Sequence, residues 1–281
     1  VFFRSRVFGR FVVSMPFLNS GGVLADAPDI ERQLLARAMD ESRRLGASHL
    51  ELRHTRQRFP ELAARRHKVA MTLHLQSTAD LQWQHLDRKL RNQVRKAEKS
   101  GLDIEIGGAE LLSAFYTVFA ENMRDLGTPV YTVRFFESVL KTFPDSARLF
   151  LVRANGHPAA ASLVVWDRDT AQVPWASALR RFNPLCANVF LYWQMLKFAA
   201  DRGFRVFDFG RSSSDSGTFH FKRQWGAVPH ELVWEYWTPP GGALPDFSPT
   251  SRKFAWATSL WQRLPLTVAT TLGPSIVRNI P

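Results

Sequence analysis

The hydrophobic pattern changes period along the chain, and each change marks an element. Residues 11–17 and 48–53 alternate and predict strands. Between them, 28–45 reads as a helix opened by Pro28 and stopped by Gly46. Residues 55–68 are basic and irregular, as in a link between domains, and 69–75 is the next strand. From 80 to 100 the period is helical, with Trp83, Leu86, Leu90, Val94 and Ala97 on one side. Arg88, Arg91, Arg95 and Lys99 fall on another side, flanked by Lys89 and Lys96. A strand at 102–106, helices at 109–126 and 132–142, and strands at 148–154, 159–166 and 171–178 follow. Asn155-Gly156 supplies a hairpin turn between the first two of these three strands. Residues 188–202 are apolar nearly all round, which predicts a buried helix. The strand 205–209, a short helix 217–224 and the strand 231–236 complete the order.

Composition narrows the class. The chain has 281 residues, 45% of them hydrophobic, with 22 Phe and 9 Trp, enough for a sizeable core. A single cysteine, Cys186, excludes an intramolecular disulfide, and no Cys/His cluster suggests a structural metal. No apolar run is long enough to cross a bilayer. With 37 Lys+Arg against 25 Asp+Glu the formal charge is +12, a field that suits tRNA, phosphorylated lipids, anionic polysaccharide or an acidic membrane surface.

The candidate chemistry lies in FDFGRSSSDSGTFHFKRQWGA, residues 207–227, where a strand opens onto a glycine- and serine-rich turn. Backbone N–H groups such as that of Ser212, beside Arg211 and Lys222, form a plausible seat for a phosphate. Asp208 is the nearest carboxylate for a base, and Asp215 reads as the cap of the short helix. His220, between two Phe residues, and Trp225 read as packing residues. The basic helix adds Arg88, Arg91 and Arg95 as a second anion-binding surface, or as a solvated face. The 246–281 tail mixes Phe254, Trp256, Leu260, Trp261 and Leu264 with Arg252, Lys253 and Arg263. It suits either an anionic membrane surface or packing on the protein's own core.

The element order β-α-α-β-β-β-α-β-α-β resembles the GNAT-type acyltransferase fold. LDRKLRNQVRKAEKSGL (86–102), LGTPVYTVRFF (126–136) and the 207–227 stretch together resemble the FemAB/FemX group, closest to the FemAB-like proteins of exopolysaccharide and PEP-CTERM systems. The resemblance spans essentially the whole chain. It implies an α/β (α+β) protein of two GNAT-like domains, the first (1–74) cut short at its N-terminus, the second at 75–240, then a tail at 241–281. It implies acyl or aminoacyl transfer to an amine on a cell-envelope or exopolysaccharide precursor, a phosphate-bearing lipid-linked molecule for instance. No cofactor is expected beyond the donor substrate, aminoacyl-tRNA or acyl-CoA. A cytoplasmic site, at most peripheral to the inner membrane, follows. Lys222 matches by position the lysine that contacts the acceptor's phosphate in such enzymes.

One departure bears on the donor. Acetyl-CoA-using GNAT enzymes carry a glycine-rich turn before the third helix, for the pyrophosphate. Here that junction reads Arg181-Phe182-Asn183-Pro184-Leu185-Cys186-Ala187-Asn188, without glycine and with a proline that removes a donor. A donor other than acyl-CoA is favoured. The alternatives are an acyl-CoA-dependent N-acetyltransferase and a non-catalytic binding protein in exopolysaccharide assembly.

Overall fold

A computed structural model describes residues 1–5, 9–244 and 252–279, with only the backbone of 252–255. In chain order the elements are β1 (Phe2–Ser5), β2 (Gly9–Val13), α1 (Pro28–Arg44), β3 (Leu50–His54), β4 (Ala63–His74), α2 (Ala79–His85), α3 (Arg88–Lys99), β5 (Leu102–Gly107), α4 (Leu112–Asp125) and α5 (Val133–Thr142). There follow β6 (Ala147–Ala154), β7 (His157–Asp167), β8 (Thr170–Ala178), α6 (Ala187–Asp201), β9 (Val206–Ser213), α7 (Gly217–Arg223), β10 (Val228–Trp237), α8 (Arg252–Gln262) and α9 (Leu266–Val277).

All ten strands join one sheet, ordered β1-β2-β3-β10-β4-β9-β8-β7-β6-β5. Pairing is antiparallel except at β2–β3 and β8–β9. Strand β10, late in the chain, lies between β3 and β4 and so ties the N-terminal elements into the same sheet. The β6–β7 hairpin turns on Asn155 and Gly156, both at positive φ, as the dipeptide predicts.

Alternation sends Phe207, Phe209, Val173 and Met71 to one side, where they pack with Leu90 and Val94 of α3 and with α6. Helix α6 is buried over most of its surface, as its uniform apolarity requires. On the other side Leu149, Leu151 and Leu163 pack with Phe115 and Phe119 of α4 and Phe136 of α5. On that side of β9, β4, β10 and β3, among the described residues, lies the chain from Met15 to Ser20.

Four expectations need correction. The basic stretch 55–68 is a link only in its first part, because Ala63 onward belongs to the twelve-residue strand β4. The helix 80–100 is two helices: Leu86 takes extended backbone and the Asp87 carboxylate caps α3 by accepting from Leu90 N–H at 2.7 Å. The strand 11–17 stops at Val13, where its pairing with β3 ends, and Phe17 lies in the turn beyond at φ 68°. The cap of α7 is Ser216, which accepts from Phe219 N–H, while Asp215 holds a left-handed turn at φ 60°. Among the described residues no helix is long and apolar enough to cross a membrane.

Candidate active site at the splay of two strands

The parallel pair β8–β9 holds for three positions, Thr170 with Val206, Ala171 with Phe207 and Gln172 with Asp208, and then parts. A cleft opens where the two strands diverge. Asp208 stands at the last paired position, opposite the phenylalanines that fill the α6 side. Its Oδ1 accepts from Gly210 N–H at 2.7 Å and its Oδ2 from the Gln172 amide at 2.9 Å. Burial pushes its carboxyl above the ordinary aspartate range, against the opposing pull of those two donors and of Lys222.

Two cavities meet at this pair. One, of about 690 Å³, is polar-rimmed, lined by Asn19, Ser20, Thr72, His230 and Glu231. The other, of about 830 Å³, is mainly apolar, lined by Phe17, Phe135, Phe143, Trp166 and Trp175, with Asp167, Arg168 and Asp169 also in its wall. Gln172, Asp208, Leu18 and Ser20 line both. The roof they share is held from below. Buried Arg53 donates to the carbonyls of Met15 and Leu18, and the Trp234 indole N–H to that of Asn19. Arg53 is itself paired with buried Glu51 at 2.7 Å, and the Tyr236 hydroxyl donates to the same carboxylate. A charge removed from water so completely is held by the facing carboxylate and these carbonyls.

Cations gather at the edge of the polar cavity. Lys68 pairs across β4–β9 with Ser213 and Arg211 with Ala70, so both side chains share the Asp208 side of the sheet. Lys68 donates to the Ser213 hydroxyl at 2.5 Å, and Arg211 lies over the Trp234 ring at 5.4 Å, with Arg53 over the same ring at 4.3 Å. Among the described residues neither Lys68 nor Arg211 has a carboxylate partner, and partial burial together with Arg211 lowers the Lys68 pKa.

The other predicted residues are elsewhere. Lys222, 7% exposed, rises from α7 beneath β9 and donates to the carbonyls of Gly210 at 3.1 Å and Arg211 at 2.8 Å. Burial lowers its pKa to about 8, with Asp208 opposing. Ser212 is buried on the α6 side beside Val69, its hydroxyl without a partner among the described residues. Arg88, Arg91 and Arg95 lie on α3, in the α6 layer, so they are not brought together with Asp208 and Arg211. Arg88 and Arg95 are exposed, Arg91 is half-buried, and Arg95 stacks over Trp83 at 5.5 Å. His220 is exposed rather than packed, since it occupies the outer face of a short helix. Trp225 is buried against Phe221 and Tyr192 as expected. The junction before α6 folds as a 3-10 turn, Arg180–Leu185, with Cys186 half-buried at φ 61°. Gln172, Lys68 and the 15–20 roof escape sequence reasoning, because only strand pairing brings them to Asp208.

Residues 84–223 match the family model of the acetyltransferase (GNAT) domain, a span that includes Asp208, Arg211 and Lys222. No curated protein matches the chain. Among solved structures, FemX superposes with a TM-score of 0.59 over 80% of each chain, at 14% identity. The structure of L-PGS from Bacillus licheniformis gives 0.60 over 94% of this chain and 89% of that one, at 13% identity. The C-terminal domain (DUF2156) of a putative lysylphosphatidylglycerol synthetase from Agrobacterium fabrum gives 0.58 over 77% and 75%, at 12% identity. At such identities the likeness establishes the architecture: the chain is a mixed α/β protein of two GNAT-like halves sharing one sheet.

Proposed function

We propose that the protein transfers an acyl or aminoacyl group to an amine on a phosphate-bearing acceptor, with Asp208 as the base. The observation that carries this is a carboxylate of raised pKa at the splay of β8 and β9, where a polar and an apolar cavity meet. The GNAT match and the FemX and L-PGS neighbours support the reaction class. The acceptor lies in the polar cavity. Its anionic group is held by Arg211, two β4 positions or roughly 7 Å from the row of Asp208, and by Lys68, four positions or roughly 13 Å from it. The apolar cavity takes the acyl or aminoacyl part of the donor.

The step balances simply. The neutral amine attacks the donor's ester carbonyl, the carbon–oxygen bond breaks, and the amine's proton passes to Asp208 and on to the leaving hydroxyl. Alignment of amine and ester supplies much of the rate, so the base has only to be close and correctly ionised. The acceptor is the envelope or exopolysaccharide precursor implied by the sequence resemblance, and the reaction is cytoplasmic, where aminoacyl-tRNA exists. The α3 row Arg88, Arg91, Arg95 and Lys99, exposed except for half-buried Arg91, offers a separate surface for such a donor, whose binding would weaken steeply with salt.

A second reading, acetyl-CoA as donor, is favoured by the description of the matching family. The proline-containing 3-10 turn Arg180–Leu185 argues against it, since it offers no glycine-lined run of N–H groups to a pyrophosphate. Purified protein given aminoacyl-tRNA or acetyl-CoA and amine-bearing phospho-acceptors distinguishes them: turnover with the first is expected. Turnover with acetyl-CoA alone promotes the second reading, and none with any donor points to a binding protein.

Arg211→Ala should raise the acceptor KM by about tenfold, the loss of one charge-assisted contact, with the melting temperature unchanged because its side chain is exposed. An unchanged KM would remove Arg211 from the acceptor site.

A further inference from the structure

We infer that the C-terminal helical pair α8–α9 docks the protein on an anionic lipid bilayer. Helix α9 has no charged residue along its length. Its inner row, Ala269, Gly273 and Val277, is buried against the protein, and a side-chain carbon added at Gly273 would come within 2.8 Å of Val130 N. The tail therefore packs on the core with one face only. The outer row, Val268, Leu272 and Ile276, repeats every four residues and stays 36%, 48% and 38% exposed. On α8, Trp256 and Leu260, one turn apart, are 70% and 50% exposed.

The polar groups of α9 suit an apolar surrounding. Thr270 donates to the carbonyl of Leu266 and Thr271 to that of Thr267, so these hydroxyls are satisfied within the helix. A row of aliphatic side chains, an exposed tryptophan and satisfied hydroxyls are what a helix lying in the headgroup region requires.

Charge selects the occupant. From residue 247 to the end of the chain there is no Asp or Glu, while Arg252, Lys253, Arg263 and Arg278 are all present. Arg263 and Arg278 stand exposed at the ends of α8 and α9 without a carboxylate partner among the described residues. A second copy meeting this face symmetrically would set like charges against each other, whereas anionic headgroups complement them. Phe254, Arg252 and Lys253 belong to the same segment, with side chains outside the described residues.

The test is sedimentation of the full chain with vesicles of phosphatidylcholine alone or mixed with phosphatidylglycerol. Binding to the mixed vesicles is expected, weakening with salt. Trp256→Ala with Leu272→Ser should weaken it by about tenfold or more without lowering the melting temperature, as should Arg263→Glu with Arg278→Glu. Asp208→Asn should bind like the wild type, so docking can fail or succeed independently of the transfer chemistry. No binding, equal binding to both vesicles, or variants that bind like the wild type would overturn the inference. So would a dimer in light scattering that Leu272→Ser dissolves, which would make the face an interface between copies.

Discussion

Asp208→Asn is expected to lower turnover by 10² to 10⁴-fold while leaving the protein as stable as the wild type, or more so, at neutral pH. The amide keeps the shape of the carboxylate. Its oxygen can still accept from Gly210 N–H, and the Gln172 amide can turn to present its oxygen to the new NH₂ group. What it loses is the ability to take a proton from the attacking amine. The stability sign follows from the raised pKa. Between the unfolded value near 3.8 and the higher folded value, the folded state holds the proton more tightly, so stability falls as pH rises through that interval. Above it the wild type carries a desolvated charge that asparagine lacks. Denaturation at pH 7 and pH 4 should therefore show any advantage of the variant shrinking toward acid. A variant that unfolds would assign Asp208 to structure, and one that turns over normally would remove it from catalysis.

Lys222→Met is expected to destabilise the fold by about 2 kcal/mol at pH 7, because it leaves the carbonyls of Gly210 and Arg211 without their donor. Activity should fall with it, since those residues shape the stretch of β9 that carries Asp208 and Arg211. The pH dependence is opposite to that of Asp208. The folded pKa is about 8 against 10.5 unfolded, so between these values the unfolded chain holds a proton that the folded chain has released. Wild-type stability thus gains a rising component from pH 8 to 10.5, and Lys222→Met should lack it. Chemical denaturation across that range checks both claims. If the variant is as stable as the wild type and only acceptor affinity drops, Lys222 serves the acceptor directly, as the family resemblance implies.

Local signals carried much of the fold. Proline at the start of α1, Asn155-Gly156 at the hairpin and the apolar surface of α6 each act within a few residues, so their elements could be read directly. What was misread depended on partners far along the chain. Arg65, Arg66, His67 and Lys68 look like a solvated link, yet they form a strand because β10 supplies their backbone partners and β9 joins at Lys68. The break at Leu86 was hidden by the continuous apolar row through it, although Asp87 is a capping residue. At the site, Asp208 and Arg211 were visible as chemistry beside a strand end. Their association with Gln172, Lys68 and Trp234 was not, because it exists only where β8, β9, β4 and β10 lie side by side. The cationic row of α3 was legible as a pattern, but a pattern cannot say on which side of a sheet a helix packs.

The most direct measurement of acyl transfer at the β8–β9 splay is mass spectrometry of envelope extracts from otherwise identical cells producing the wild-type chain or Asp208→Asn. The account predicts an amine-bearing, phosphorylated species heavier by one acyl or aminoacyl unit in the wild-type extract alone. Identical extracts, with both proteins folded and present at equal levels, would contradict it.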